Sequence, residues 1–233
     1  MIVAAAVCPS PPLLARELTG RAEVLPELTG ACAAAVRHLL AAAPDVIAVV
    51  GAGQETATWD PDDRLDLSAY APLADTRHPV TRLPGKPGLP LALGIGALLL
   101  DEVGHAGPRI LQAVDESAPA AACLRLGRDL AASAPRVALL AVGDGSARRG
   151  PDAPGYVDER AVPFDDAVRD AMRDGDMAAL ARLEADLARD LMATGRAAWQ
   201  VLAGAYHGTR RPAAAIRYAA DPFGVAYLVA LLT

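Results

Sequence analysis

Residues 137–142, VALLAV, form an unbroken apolar run between Pro135 and Gly143. A run of that length without polar alternation fits a strand covered on both faces, and so predicts an α/β fold. The run opens into Gly143-Asp144-Gly145-Ser146-Ala147 and a long loop rich in glycine, proline and charge. Pro163, followed by Asp165 and Asp166, then starts a helix, with the acids at its positive end. Ligands of α/β proteins sit in loops leaving the carboxyl ends of such strands, so this loop is expected to line any site.

Residues 2–7 and 46–50 repeat the pattern. Between them Cys32, Val36, Leu39, Leu40 and Ala43 share one face of a helix that Thr29 can cap and Pro44 stops. Strand, helix and strand in 50 residues read as a parallel crossover. A third helix is predicted over 89–104, a strand over 110–114 and a helix capped by Ser117 running to about 132. Asp176 can cap one amphipathic helix over 177–191, and a short helix follows over 196–206. Strands over 213–219 and 225–232, joined by a turn at 221–224, close the chain, while 59–89 is irregular or a short hairpin. With no internal repeat or flexible linker, one α/β domain is expected, its central sheet mostly parallel with helices on both faces.

The chain has 233 residues, 53% apolar and 21% charged, enough to bury one substantial core. Its net charge of −6 argues against nucleic acid, which demands clustered cations. Arg148-Arg149 and Arg210-Arg211 are compatible with an anionic small molecule, although solvated surface is the commoner role for loop arginines, by roughly three to one. The start has no basic leader, and the longest apolar segment, residues 89–100, is about half of the ~20 residues that span a bilayer. Three widely spaced cysteines without a CxxC pair suit a reducing cytoplasm and give no zinc signature.

Local motifs are sparse. Gly51-Ala52-Gly53 follows a strand, but Thr56 stands where a dinucleotide fingerprint needs its third glycine, so a glycine turn is the preferred reading. The histidines, His38, His78, His105 and His207, form no metal-binding spacing. His207, after the penultimate helix, is the one best suited to chemistry, and a surface histidine is its plain alternative. Cys8 and Ser10 follow the first strand, where a nucleophile can be displayed, although packing is the simpler role for Cys8.

Four phrases resemble the class III extradiol ring-cleavage dioxygenases, in particular their catalytic-subunit-like domain. Pro9-Ser10-Pro11-Pro12-Leu13 is similar to the family's P-H-P-P-L, and the second strand ends where the family has S-P-H. Residues 143–147 resemble G-D-x-S-H and are followed by F-D-x-x-V at Phe164 to Val168. The close, Phe223-Gly224-Val225-Ala226-Tyr227, looks like the family's F-G-V-x-Y strand. The resemblance spans nearly the whole chain and implies the extradiol dioxygenase fold with non-haem Fe(II) held by two histidines and a carboxylate, plus an acid/base histidine. At the matching positions stand Ser10, Gly53 or Gln54, and Ala147, so the iron-dependent chemistry is not expected to survive.

These observations lead to a metal-free relative with no cofactor. Its cleft at the strand ends is walled by Ser10, Gln54, Glu55, Asp144 and Ser146 and binds a small molecule or a partner protein. An enzyme with a rebuilt site is the contrasting expectation, with Cys8, Glu55, Asp144 and His207 converging, around a different metal if one is present. A structural component, in a homo-oligomer or beside a partner, is the third. Convergence of three of those four side chains would mark the enzyme; an apolar-walled cleft without it, the binding protein; a large exposed apolar patch, the structural component.

Overall fold

The computed structural model of the chain describes residues 1–19, 24–67, 70 and 88–233. Its strands are β1 (Ile2–Cys8), β2 (Val46–Gly53), β3 (Ala57–Trp59), β4 (Arg109–Asp115), β5 (Val137–Val142), β6 (Ala214–Ala220) and β7 (Tyr227–Leu232). Its α-helices are α1 (Arg16–Thr19), α2 (Pro26–Ala41), α3 (Leu91–Glu102), α4 (Ala120–Ala131), α5 (Ala161–Asp174), α6 (Met177–Ala181), α7 (Ala185–Asp190) and α8 (Arg196–Ala205).

Among the described residues the strands form one seven-stranded sheet in the order β3-β4-β2-β5-β1-β7-β6. The central four, β4-β2-β5-β1, are parallel, whereas β3, β7 and β6 each pair antiparallel. The sheet is therefore mixed, not mostly parallel. Short connections explain the difference: β6 and β7 are joined through the 3-10 turn Pro222–Gly224, with no room for a crossover helix. β1 and β2 are parallel, as the crossover reading expects, but β5 lies between them.

Every residue of β5 and nearly every residue of β1 and β2 is buried, so the strands separate two cores by alternation. Ala4, Ala6, Cys8, Ile47, Val49, Leu140 and Val142 pack with α2 and α3. Ala5, Val7, Ala48, Val50, Leu139 and Ala141 face the opposite core, with α4, α5 and α8. None of the helices among the described residues is long and apolar enough to cross a membrane.

Three helix expectations need correction. Thr29 does not cap α2: the helix begins at Pro26, and the Thr29 hydroxyl donates back to the Leu25 carbonyl at 3.0 Å. Ser117 does not cap α4, which starts after Pro119; its hydroxyl and amide instead donate to Asp115. The amphipathic stretch 177–191 is two helices, broken at Arg182-Leu183-Glu184. Gln200 Nε2 donates to the carbonyls of Ala181 and Leu183, at 3.2 and 2.9 Å, giving the break a buried partner. The expected cap Asp176 does accept from the Ala179 amide, at 2.9 Å.

All ten residues of α8 are buried, because the helix threads between the sheet and α4. Backbone approaches α4 so closely that a Cβ on Gly127 would overlap the Val201 carbonyl, and one on Gly204 the Leu124 carbonyl. Gly204→Ala should therefore cost at least about 2 kcal/mol despite alanine's better helix propensity. Gly30→Ala in α2, where a Cβ would meet nothing within 4 Å, should stabilise by about 0.5–1 kcal/mol. Urea denaturation of both variants checks the contrast.

Candidate functional site

The carboxyl ends of β1, β2, β4 and β5 open into one cleft. Ser10, just beyond β1, donates its backbone N–H to Asp144 Oδ1 at 2.7 Å. Asp144 is in turn fixed through its main chain: its N–H donates to Thr194 Oγ1 at 3.1 Å, and its carbonyl accepts from the Gly195 N–H at 2.8 Å. Neighbouring glycines allow this, since a Cβ on Gly143 would lie 2.5 Å from Gly195 Cα. The end of β5 and the start of α8 thus touch backbone to backbone and form the cleft floor.

Gln54 and Glu55 leave β2 as exposed side chains at one wall. Beside them Asp115 ends β4, accepting from the Ser117 amide and hydroxyl at 2.7 and 2.8 Å, which lowers its pKa. Trp59, Leu91 and Ala92 contribute apolar wall on that side, and Met192, Ala193 and Ala197 on the other.

Burial dominates at Asp144. Loss of solvent raises its pKa to about 6, with the Ser10 amide and hydroxyl pulling the other way. The same carboxylate adds to the burial that raises the Tyr227 phenol.

Of the expected cleft residues, Ser10, Gln54, Glu55 and Asp144 meet here, and Ser146 does not. Ser146 is 0% exposed: its amide and hydroxyl donate to Asp165 on α5, at 2.8 and 2.5 Å. Arg149 Nη1 joins that carboxylate at 3.2 Å and its Nε meets Asp221 at 2.9 Å, so this arginine of the loop is tied into structure. Strand alternation would give Asp144 and Ser146, two residues apart, the same face; beyond β5 the loop leaves that pattern, and the hydrogen bonds to Asp165 hold Ser146 towards α5.

The candidates Cys8 and His207 are also elsewhere. Cys8 is fully buried beside Cys32 in the core under α2, and its thiol is raised by a hydrogen bond to Cys32 and by burial. His207 is exposed just past the end of α8, about 16 Å along the helix axis from the cleft. His38, in the last turn of α2, and His105, just past α3, likewise lie where helices lead back to the amino ends of strands. All three described histidines therefore sit on the far side of the sheet from the cleft, and His78 lies outside the described residues. Cys8, Glu55, Asp144 and His207 do not converge.

Among the described residues no three His, Cys, Asp or Glu side chains are grouped to hold a metal. A hydroxyl at Ser10 and a bare glycine or an amide at Gly53 or Gln54 do not fit the histidine pair that holds non-haem iron, and the methyl of Ala147 cannot move protons as the acid/base histidine would. Sequence reasoning missed two parts of the cleft: Asp115-Glu116-Ser117, and Thr194 with Arg196 and Ala197. The first was findable as the end of a fourth parallel strand; the second carries no local signal.

Cleft and topology together define an α/β protein with a mixed sheet and a depression at its parallel strand ends. The uncharacterized protein JW3007 of Escherichia coli K12, known from a crystal structure, shares this fold. It superposes with a TM-score of 0.57 at 15% identity, over 99% of this chain and 100% of that one. No family model and no curated protein matches the sequence.

A carboxyl whose pKa is higher folded than unfolded binds its proton more tightly when folded. Asp144 therefore weighs against folding above pH 6, and the cost fades as pH falls towards its ordinary 3.8. Asp144→Asn should stabilise the protein by up to about 3 kcal/mol at about pH 8 and by little at about pH 4. Chemical denaturation across that range checks it; equal effects at both ends would contradict the burial of this carboxyl.

Proposed function

We propose that the chain is a divergent relative of the class III extradiol dioxygenases, akin to their catalytic subunits. In this reading it keeps their fold, works without iron in the cytoplasm, and uses the strand-end cleft to bind a small molecule. The observation that carries the reading is the cleft itself. Four parallel strands deliver Ser10, Gln54, Glu55, Asp115 and Asp144 to one concave, partly apolar depression, at the place where α/β proteins take ligands. The four sequence phrases described above support the family assignment, and three buried free thiols fit a reducing compartment.

The contrasting enzyme would need at least three of Cys8, Glu55, Asp144 and His207 at one point, and only Glu55 and Asp144 line the cleft. A second reading, a structural component that docks a partner, is favoured by one feature: the loop before α5 exposes Tyr156 by 91% and Val157 by 62%.

An NMR fragment screen on the ¹⁵N-labelled chain separates the readings. Small-molecule binding predicts hits whose shifts cluster on Ser10, Gln54, Asp144, Thr194 and the Trp59 indole. Hits confined to Tyr156 and Val157, or none at all, would overturn it.

A further inference from the structure

α8 begins with a charge arrangement that opposes its own stability. Arg196 is its first residue, so a cation stands at the helix end that is already positive. The side chain is 2% exposed, yet among the described residues no carboxylate lies within ion-pair distance of it. Its guanidinium spends two nitrogens on neutral acceptors: Nη1 on the Ala118 carbonyl at 2.6 Å and Gln200 Oε1 at 2.9 Å, Nη2 on the Glu116 carbonyl. The Nε–H has no acceptor among the described residues. Neither do the backbone N–H groups of Arg196 and Ala197, the first-turn donors that α8 leaves without a side-chain cap. Both residues line the cleft.

A buried cation is ordinarily paired. Here charge, dipole and free donors share one cleft wall, the combination that receives an oxyanion. The geometry points to a small ligand bearing a carboxylate or another oxyanion group, seated on the first turn of α8 and on Arg196 Nε. This assignment rests on the small-molecule reading of the cleft and names the chemistry it would select.

The cleft's carboxylates must be weighed against it. Glu55 and Glu116 are exposed, where water and salt screen them, whereas Arg196 is desolvated. At equal distance a charge in surroundings of effective dielectric ~20 acts about four times as strongly as one in bulk water. Asp115, half-buried at the end of β4, is the cleft carboxylate that the Arg196 charge acts on: hydrogen bonds from Ser117, and with them that charge, lower its pKa, so it offsets part of the cation. Asp144 is half-buried, and its carboxyl takes up a proton more readily than an ordinary aspartate, which lessens its repulsion.

The test is a charge series on the intact wild-type chain: benzoate, benzamide and benzylamine, three probes of one size, titrated by NMR in chloride-free buffer of low ionic strength. Benzoate should bind at least about tenfold more tightly than either other probe, shifting the Arg196 and Ala197 amides and the Arg196 Nε–H. Arg196→Gln, used if its spectrum is native, should erase the preference for benzoate over benzamide. Equal or tighter binding of benzylamine or benzamide in the cleft would overturn the anion assignment and leave the small-molecule reading standing. Benzoate shifts confined to other surfaces would also overturn it. If none of the three perturbs the cleft, both fall.

Discussion

The contact between the end of β5 and the start of α8 governs the rest of the molecule. β5 lies in the middle of the sheet, paired on both sides, and α8 is buried along its whole length. Two such elements can meet end to end only if neither carries a side chain at the junction, which Gly143 and Gly195 satisfy. Hydrogen bonds from the Asp144 amide to Thr194 and from the Gly195 amide to the Asp144 carbonyl then lock the meeting point. Asp144 follows Gly143 directly, so the constraint that closes the core also fixes the half-buried Asp144 carboxylate of the cleft.

Buried polar groups elsewhere follow the same economy of placement. Gln200 supports the interruption between α6 and α7, and Arg196 ties Glu116 and Ala118 of the β4–α4 connection to α8. Ser146, Asp165, Arg149 and Asp221 link the β5–α5 loop to α5 and to the turn before β7. Each network joins segments distant in sequence, and each satisfies groups whose desolvation would otherwise be costly. Asp144 and Arg196 are the exceptions: among the described residues neither forms a close ion pair, although the Arg196 charge reaches Asp115, and both lie in the cleft.

Much of this was legible in the sequence. Uninterrupted apolar runs gave β5 to the residue and β1 to within one, because a strand covered on both faces leaves no polar alternation to mislead. β2 was cut short: Gly51-Ala52-Gly53, expected to be a turn, continues the strand and pairs with Ala113–Asp115 of β4. The strand-end rule pointed to Ser10, Gln54, Glu55 and Asp144, and these four line one cleft. It also carried information left unused. Each described histidine lies in the last turn of a helix or just past one that precedes a strand, which assigns it to the opposite end of the sheet. The side-chain direction of Ser146 was beyond reach, since loop dihedrals do not obey strand periodicity. So was the break at residues 182–184, where a glutamine 16 residues beyond the break overrides an amphipathic pattern that is locally complete. Antiparallel flanks were missed because the parallel centre was extended to the edges.

Metal content, measured on the full chain purified without chelator or affinity tag, tests the central claim most directly. The account of a retained fold without its iron predicts far less than one transition-metal ion per chain, and no gain in thermal stability on adding Fe(II). Stoichiometric iron or another transition metal, lost on Glu55→Gln or Asp144→Asn, would contradict it.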